Sequence, residues 1–304
     1  MASRFRYARL ATERANPRSG ALDLLRPRQI AALMNREDGR AVRAVARVRS
    51  DITRAVSMIV TALRDGGRLI FVGAGTSGRL GVIEAAECPP TFGTPPRLVQ
   101  AIMAGGRGAV FRSREGAEDD ERAARRAVRA RVRRGDVVVG ISASGVTPFV
   151  RAALAASRRR GARTVLITCN ATGTGTTFGD VRIAPATGPE VLAGSTRLKA
   201  GTATKLVLNT LTTAAMTGLG RVYGNRMVDL QPRSAKLRAR ALRLIAEVAE
   251  VSPVRAVRAF EAAEGRVKLA IVIARNGWDP ARASRALRAA SGSLRTVLQK
   301  FRRK

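Results

Sequence analysis

Apolar residues early in the chain recur at intervals of three and four. Val42, Val45, Val48, Ile52, Val56, Ile59, Val60 and Leu63 share one face at helical spacing, which predicts a helix over residues 40–63. The residues ahead of it are polar and carry the turn signals Asn16-Pro17 and Arg26-Pro27. Past Gly66-Gly67 the period changes. Residues 68–73 form a short, nearly continuous apolar run ending in glycine, as a strand buried on both faces requires.

Runs of the same kind follow at 98–103, 136–141, 164–169 and 181–184, with helical segments over 117–133 and 148–160 between them. The alternation predicts an α/β fold of three layers, a parallel sheet flanked by helices. A long, weakly polar segment over 199–219, rich in Ala, Thr and Leu, reads as a buried helix. From residue 234 the pattern is helical throughout, broken at Ser252-Pro253, Gly265, Asn276-Gly277 and Ser291-Gly292, which predicts a small helical bundle. Two domains are expected, 1–233 and 234–304.

Composition narrows the chemistry. The chain has no histidine, so carboxylates, hydroxyls and arginines must carry any acid–base work, and the commonest imidazole metal ligand is missing. Cys88 and Cys169 are the only cysteines, too few for a four-thiol zinc site. No metal and no cofactor is expected. The sequence shows no secretory signal pattern and no apolar run of membrane-spanning length, and the two cysteines suit a reducing compartment; a cytoplasmic location away from membranes is expected.

The formal charge of +34 raises the question of a nucleic-acid partner. The basic residues are almost all arginine and are spread along the chain, without a dense patch and without interleaved aromatics for base stacking. They read as solvated helix faces. No specific nucleic-acid partner is expected, although polyanions should bind at low salt.

Two strand ends carry the candidate chemistry. The first strand runs into Gly73-Ala74-Gly75-Thr76-Ser77-Gly78 at the start of a helix, where small residues admit an anion and Thr76 and Ser77 add hydroxyl donors. Gly73, Gly75 and Gly78 also meet the dinucleotide-binding spacing, but the second strand leads into Ala104-Gly105-Gly106 and lacks the acidic ribose ligand. The third strand runs into Ser142-Ala143-Ser144-Gly145-Val146-Thr147, with Pro148 opening a helix that Thr147 is expected to cap. Neighbouring hydroxyl-rich strand ends point to one shared site for a phosphate and for sugar hydroxyls.

Acidic residues are few and two pairs stand out. Glu84 and Glu87 precede Cys88-Pro89-Pro90, where the double proline is expected to end the helix. Glu115 and Glu118 lie where the next helix is expected to begin, a position that negative charge also favours electrostatically.

With these segments in view, the chain resembles the N-acetylmuramic acid 6-phosphate etherases over nearly its whole length. The resemblance rests on six blocks in order, at 12–17, 72–80, 86–93, 115–119, 194–205 and 224–229. It implies a sugar isomerase (SIS) fold of flavodoxin-like strand order, a homodimer, and hydrolysis of the phosphorylated muramic acid to N-acetylglucosamine 6-phosphate and D-lactate. It places catalytic glutamates at Glu87 and Glu118. Glu87 is then the proton donor to the lactyl oxygen and Glu118 the base that removes the C2 proton, with water adding to the resulting double bond. Gly75, Thr76, Ser77, Glu115, Ser142, Ser144, Thr147, Ser195, Thr196 and Lys199 are the expected substrate-binding residues. Two positions depart from the family pattern: Val146 stands where arginine is usual, and Arg112 where some members have histidine. The competing readings are a non-catalytic phosphosugar sensor of the same fold, a sugar-phosphate isomerase, and a basic nucleic-acid-binding protein.

Overall fold

A computed structural model describes residues 10–171, 179–232 and 234–300. Short 3-10 turns lead into helix α1 (Pro27–Arg47), followed by α2 (Arg49–Arg64), β1 (Leu69–Gly73), α3 (Gly75–Phe92) and β2 (Val99–Met103). Next come α4 (Glu121–Arg131), β3 (Val137–Ile141), α5 (Pro148–Arg159), β4 (Arg163–Ile167), β5 (Val181–Ile183) and α6 (Lys199–Gly218). The chain closes with a hairpin of β6 (Val222–Tyr223) and β7 (Arg226–Met227) and helices α7 (Ala235–Ala249), α8 (Pro253–Ala262), α9 (Val267–Asn276), α10 (Pro280–Ala289) and α11 (Leu294–Lys300).

The first five strands form one parallel sheet in the order β2-β1-β3-β4-β5, as expected. Strand order reverses between β1 and β3, whose ends pair as Gly73 with Ile141, so the loops leaving those two strands start side by side. Ile70, Val72, Val138 and Leu166 pack with Ala124, Val128, Phe149 and Leu154 of α4 and α5. On the opposite face, α3 lies so close that a side chain at Gly81 would meet Phe71 and Ile141. Helices therefore cover both faces of strands buried along their length.

Three helix expectations are corrected. The predicted helix over 40–63 is two helices with a break at Val48, and its first part begins at Pro27. The break resets the helical phase: α1 buries Leu33, Ala41 and Ala44 and leaves Val42 55% exposed, while α2 buries Ile52 and Ile59. Pro89 and Pro90 do not end α3 but lie within its last turns. Each removes one donor, yet both have a helix-compatible φ, and the turn closes with Gly93 N–H donating to the Pro89 carbonyl at 2.9 Å. The helix expected over 117–133 begins only at Glu121, capped by Asp120, whose carboxylate accepts Ala123 N–H at 2.8 Å. Glu115 and Glu118 therefore lie in the preceding loop.

Two compact units emerge, 1–86 with 97–212 and 87–96 with 213–304. They differ from the division at 233/234 that the change of period marks, because the ends of α3 and α6 and the β6–β7 hairpin belong with the C-terminal helices. The second unit has its own core of Val228, Leu244, Ile245, Phe260, Ile271 and Val272. Its helix breaks fall where expected, with Gly277 as the left-handed C-cap of α9. Among the described residues no helix is long and apolar enough to cross a membrane, and no group of three or more His, Cys, Asp or Glu could hold a metal ion.

Candidate functional site

The site is built at the C-terminal ends of β1, β3 and β4 in the first unit. After β1 the chain turns so tightly into α3 that a Cβ on Gly73 would lie 2.6 Å from Gly78 N, and one on Gly78 would lie 2.5 Å from Gly73 O. Only glycine fits either position. Gly75, at φ +54°, starts the helix, and Thr76 and Ser77 occupy its first turn, half-buried. First-turn N–H groups have no partner within a helix, so this turn presents donors outward.

The loop after β3 is held by its own hydroxyls. Ser142, 2% exposed, shares a hydrogen bond with Thr147 at 2.8 Å and accepts Gly145 N–H at 3.0 Å. Ser144 accepts Val146 N–H at 3.3 Å. Thr147 occupies the cap position of α5 but makes no side-chain cap; its hydroxyl is engaged with Ser142 instead, which corrects the expected role. Gly145 adopts φ +75°, and a Cβ there would lie 2.8 Å from Thr168 Oγ1. The loop after β4 supports this turn, with Thr168 Oγ1–H donating to the Ala143 carbonyl at 3.1 Å and Asn170 to that of Ser144 at 3.4 Å.

Glu118 joins the same turn through its main chain, since its carbonyl accepts Phe149 N–H from the first turn of α5 at 2.9 Å. Its side chain is exposed. Glu115, also exposed, borders a cavity of about 800 Å³ lined by Met103, Arg114 and Phe149, which none of the other candidate residues line.

Helix α6 enters from above. A Cβ on Gly201 would lie 3.6 Å from Thr196 O and 3.9 Å from Thr76 Cγ2, so the first turn of α6 stands against the first turn of α3. Ala200 and Cys169 pack together beside Ala143, which ties α6 to the β3 loop as well. Burial pushes the Cys169 thiol up to about 12, so it stays protonated and inert.

The start of α6 is braced by acids that the sequence did not single out. Glu190, fully buried, accepts Lys199 N–H at 3.0 Å and Ala200 N–H at 2.9 Å. An acid of the chain itself thus takes donors that an anion could otherwise use at the start of α6. Burial raises the Glu190 carboxyl above its ordinary value, partly offset by those two N–H bonds.

The Lys199 side chain was expected to line the pocket. Instead it is 1% exposed and its ammonium is ion-paired with Glu37, which also accepts Asn16 Nδ2–H at 2.9 Å. Burial opposes ionisation of Glu37, but the hydrogen bonds from Lys199 and Asn16 outweigh it and hold the carboxyl below its usual range. The Lys199 ammonium is therefore committed to Glu37. The role of Glu37 carried no local signal, because its partner Lys199 lies 162 residues along the chain.

The first carboxylate pair divides. Glu84 is buried, accepting Lys205 Nζ–H at 2.5 Å and the Thr212 hydroxyl. Glu87 is exposed and falls in the second unit.

Comparison with known proteins agrees with this architecture. The SIS domain matches residues 116–214, and the glucokinase regulatory protein N-terminal SIS domain matches 51–158. The N-acetylmuramic acid 6-phosphate etherase of Geobacillus thermodenitrificans is 49% identical over 291 residues, covering 95% of this chain and 99% of its own. That of Gloeobacter violaceus is 49% identical over 295 residues, with 97% and 96% covered. Among solved structures, the phosphoheptose isomerase of Neisseria gonorrhoeae covers 62% of this chain and 98% of its own at 19% identity and a TM-score of 0.48.

Proposed function

Since the chain belongs to the N-acetylmuramic acid 6-phosphate etherase family of enzymes, we propose that it cleaves the D-lactyl ether of N-acetylmuramic acid 6-phosphate, with water, to N-acetylglucosamine 6-phosphate and D-lactate. The observation that carries this reading is the hydroxyl cradle after β3, where Ser142 and Thr147 share a hydrogen bond at 2.8 Å and the Glu118 main chain is bonded into the following helix. A phosphorylated sugar meets donors there from Thr76, Ser77, Ser144 and Thr147. Ser195 and Thr196 border the same place, and Glu115 lies three residues before Glu118.

The reaction runs by elimination and hydration. Glu118 removes the C2 proton of the opened aldehyde sugar, Glu87 protonates the departing lactyl oxygen, and water then adds across the C2–C3 double bond. With no histidine in the chain, carboxylates are the acid–base pair that this sequence offers. The enzyme works as a homodimer in the cytoplasm in this reading.

The test is direct. Incubation with N-acetylmuramic acid 6-phosphate releases D-lactate, measured by a coupled dehydrogenase assay. Glu87→Gln and Glu118→Gln each lower the rate by about 10²–10⁴-fold while substrate still binds. A bound but uncleaved substrate with the unaltered protein overturns the proposal, and an unaltered rate in either variant removes that residue's role.

A further inference from the structure

We infer that Lys205 receives the carboxylate of the substrate's lactyl group, and so distinguishes this substrate from the same hexose phosphate without the ether; the inference rests on the etherase reading above. Its basis is the face that α3 and α6 turn toward each other within the first unit. Gly201, in the first turn of α6, stands against Thr76 of the phosphate-facing turn. Lys205 follows Gly201 by four residues, on the same helix face and about 6 Å further along the axis. On α3, Glu84 follows Thr76 by eight residues on the matching face, and its carboxylate meets Lys205 Nζ at 2.5 Å.

The charge pattern at this lysine differs from that at Lys199 and Lys268. Lys199 is buried against Glu37. Lys268 places its three N–H groups on Asp229, Gly220 O and Gly292 O. Lys205 is bonded only to Glu84 among the described residues, and its side chain is 36% exposed. Glu84 spends its other oxygen on the Thr212 hydroxyl, so it anchors the ammonium and leaves two of its N–H groups without a partner among the described residues. A half-exposed cation held at one point by a buried acid is a preorganised receptor for a second carboxylate.

The substrate supplies that carboxylate in the right chemical place. Its two anionic groups are the phosphate, taken by the turns after β1 and β3, and the lactyl carboxylate, one carbon from the ether oxygen that leaves. Glu87, the proposed donor to that oxygen, comes three positions after Glu84 in the α3 sequence, the spacing of neighbours on a helix surface. A cation there binds the lactyl group and offsets the negative charge that builds on the departing oxygen.

Lys205→Met and Lys205→Arg are compared with the unaltered enzyme in two measurements, steady-state lactate release and calorimetric binding of N-acetylglucosamine 6-phosphate, which lacks the lactyl group. Lys205→Met should lower kcat/KM by about 10- to 100-fold, the loss of one charge-assisted hydrogen bond, and change the affinity for N-acetylglucosamine 6-phosphate by less than about twofold. Lys205→Arg should recover most of the loss. Equal loss for both sugars, or no loss for either, overturns the assignment and leaves Lys205 a tether between helices. If the unaltered protein releases no lactate, the etherase reading fails separately. The ratio of affinities for the two sugars, measured for the unaltered protein and Lys205→Met, then tests the lysine by itself, and an unchanged ratio overturns it.

Discussion

Replacing Glu37 by glutamine should destabilise the first unit far more than a surface change of the same kind. Glu37 is 2% exposed and its partner Lys199 1% exposed, so the variant leaves an ammonium buried opposite a neutral amide. Removing one member of a buried pair costs about 3–5 kcal/mol, because desolvation of the survivor is no longer offset. At about 2–4 °C per kcal/mol for a unit of this size, the midpoint of thermal unfolding falls by roughly 6–20 °C. The double variant Glu37→Met with Lys199→Met removes both charges at similar volume. It should recover most of the stability, with Asn16 keeping its bond to Pro189 O at 3.2 Å.

The same pair sets a pH dependence. The folded Glu37 carboxyl lies below its ordinary value, so its stabilisation is present above the unfolded carboxylate range and is lost as pH falls through the lower folded value. Urea unfolding of the three proteins at neutral pH, followed by circular dichroism, measures the effect. A Glu37→Gln protein within about 1 kcal/mol of the unaltered one, or a double variant as unstable as the single, would refute the reasoning.

Two further outcomes follow from the geometry around β3 and β4. Gly145→Ala forces a left-handed residue to carry a Cβ at 2.8 Å from Thr168 Oγ1, so it should cost about 1–2 kcal/mol and also weaken N-acetylglucosamine 6-phosphate binding. Gly277→Ala, where the position is open, should cost a similar amount of stability with binding unchanged; loss of binding in both would show that the effect is global. Cys169, with its thiol pushed up to about 12 by burial, should resist a disulfide reagent at pH 8 until the protein is denatured, and rapid labelling of the native protein at that position would contradict its burial.

Much of this protein was readable along the chain. The apolar runs marked each of the five parallel strands to within two residues, most cleanly β1 and β3, which are buried along their length and have no polar positions to interrupt them. The glycine and hydroxyl residues at 73–78 and 142–147 marked the turns after β1 and β3, since a tight turn at a strand end restricts which residue types fit. Helix ends were less legible. The break at Val48 and the continuation of α3 through Pro89-Pro90 depend on packing and on φ values that propensity rules describe only on average. The small hairpin of β6 and β7 was not anticipated, because strands of two residues carry no period to detect.

What residue order alone settled was local: where strands and helices lie, which turns can admit an anion, and which acid–base groups exist in a chain without histidine. Pairings across long separations came only with the folded chain. Lys199 was expected beside the ligand and is instead matched to Glu37 from 162 residues away, while Lys205, unremarked in the sequence, emerges half-exposed on Glu84 from 121 residues away. The reason is that a side chain's protonation, burial and direction are set by whatever the fold brings against it, and no window of neighbouring residues contains that partner.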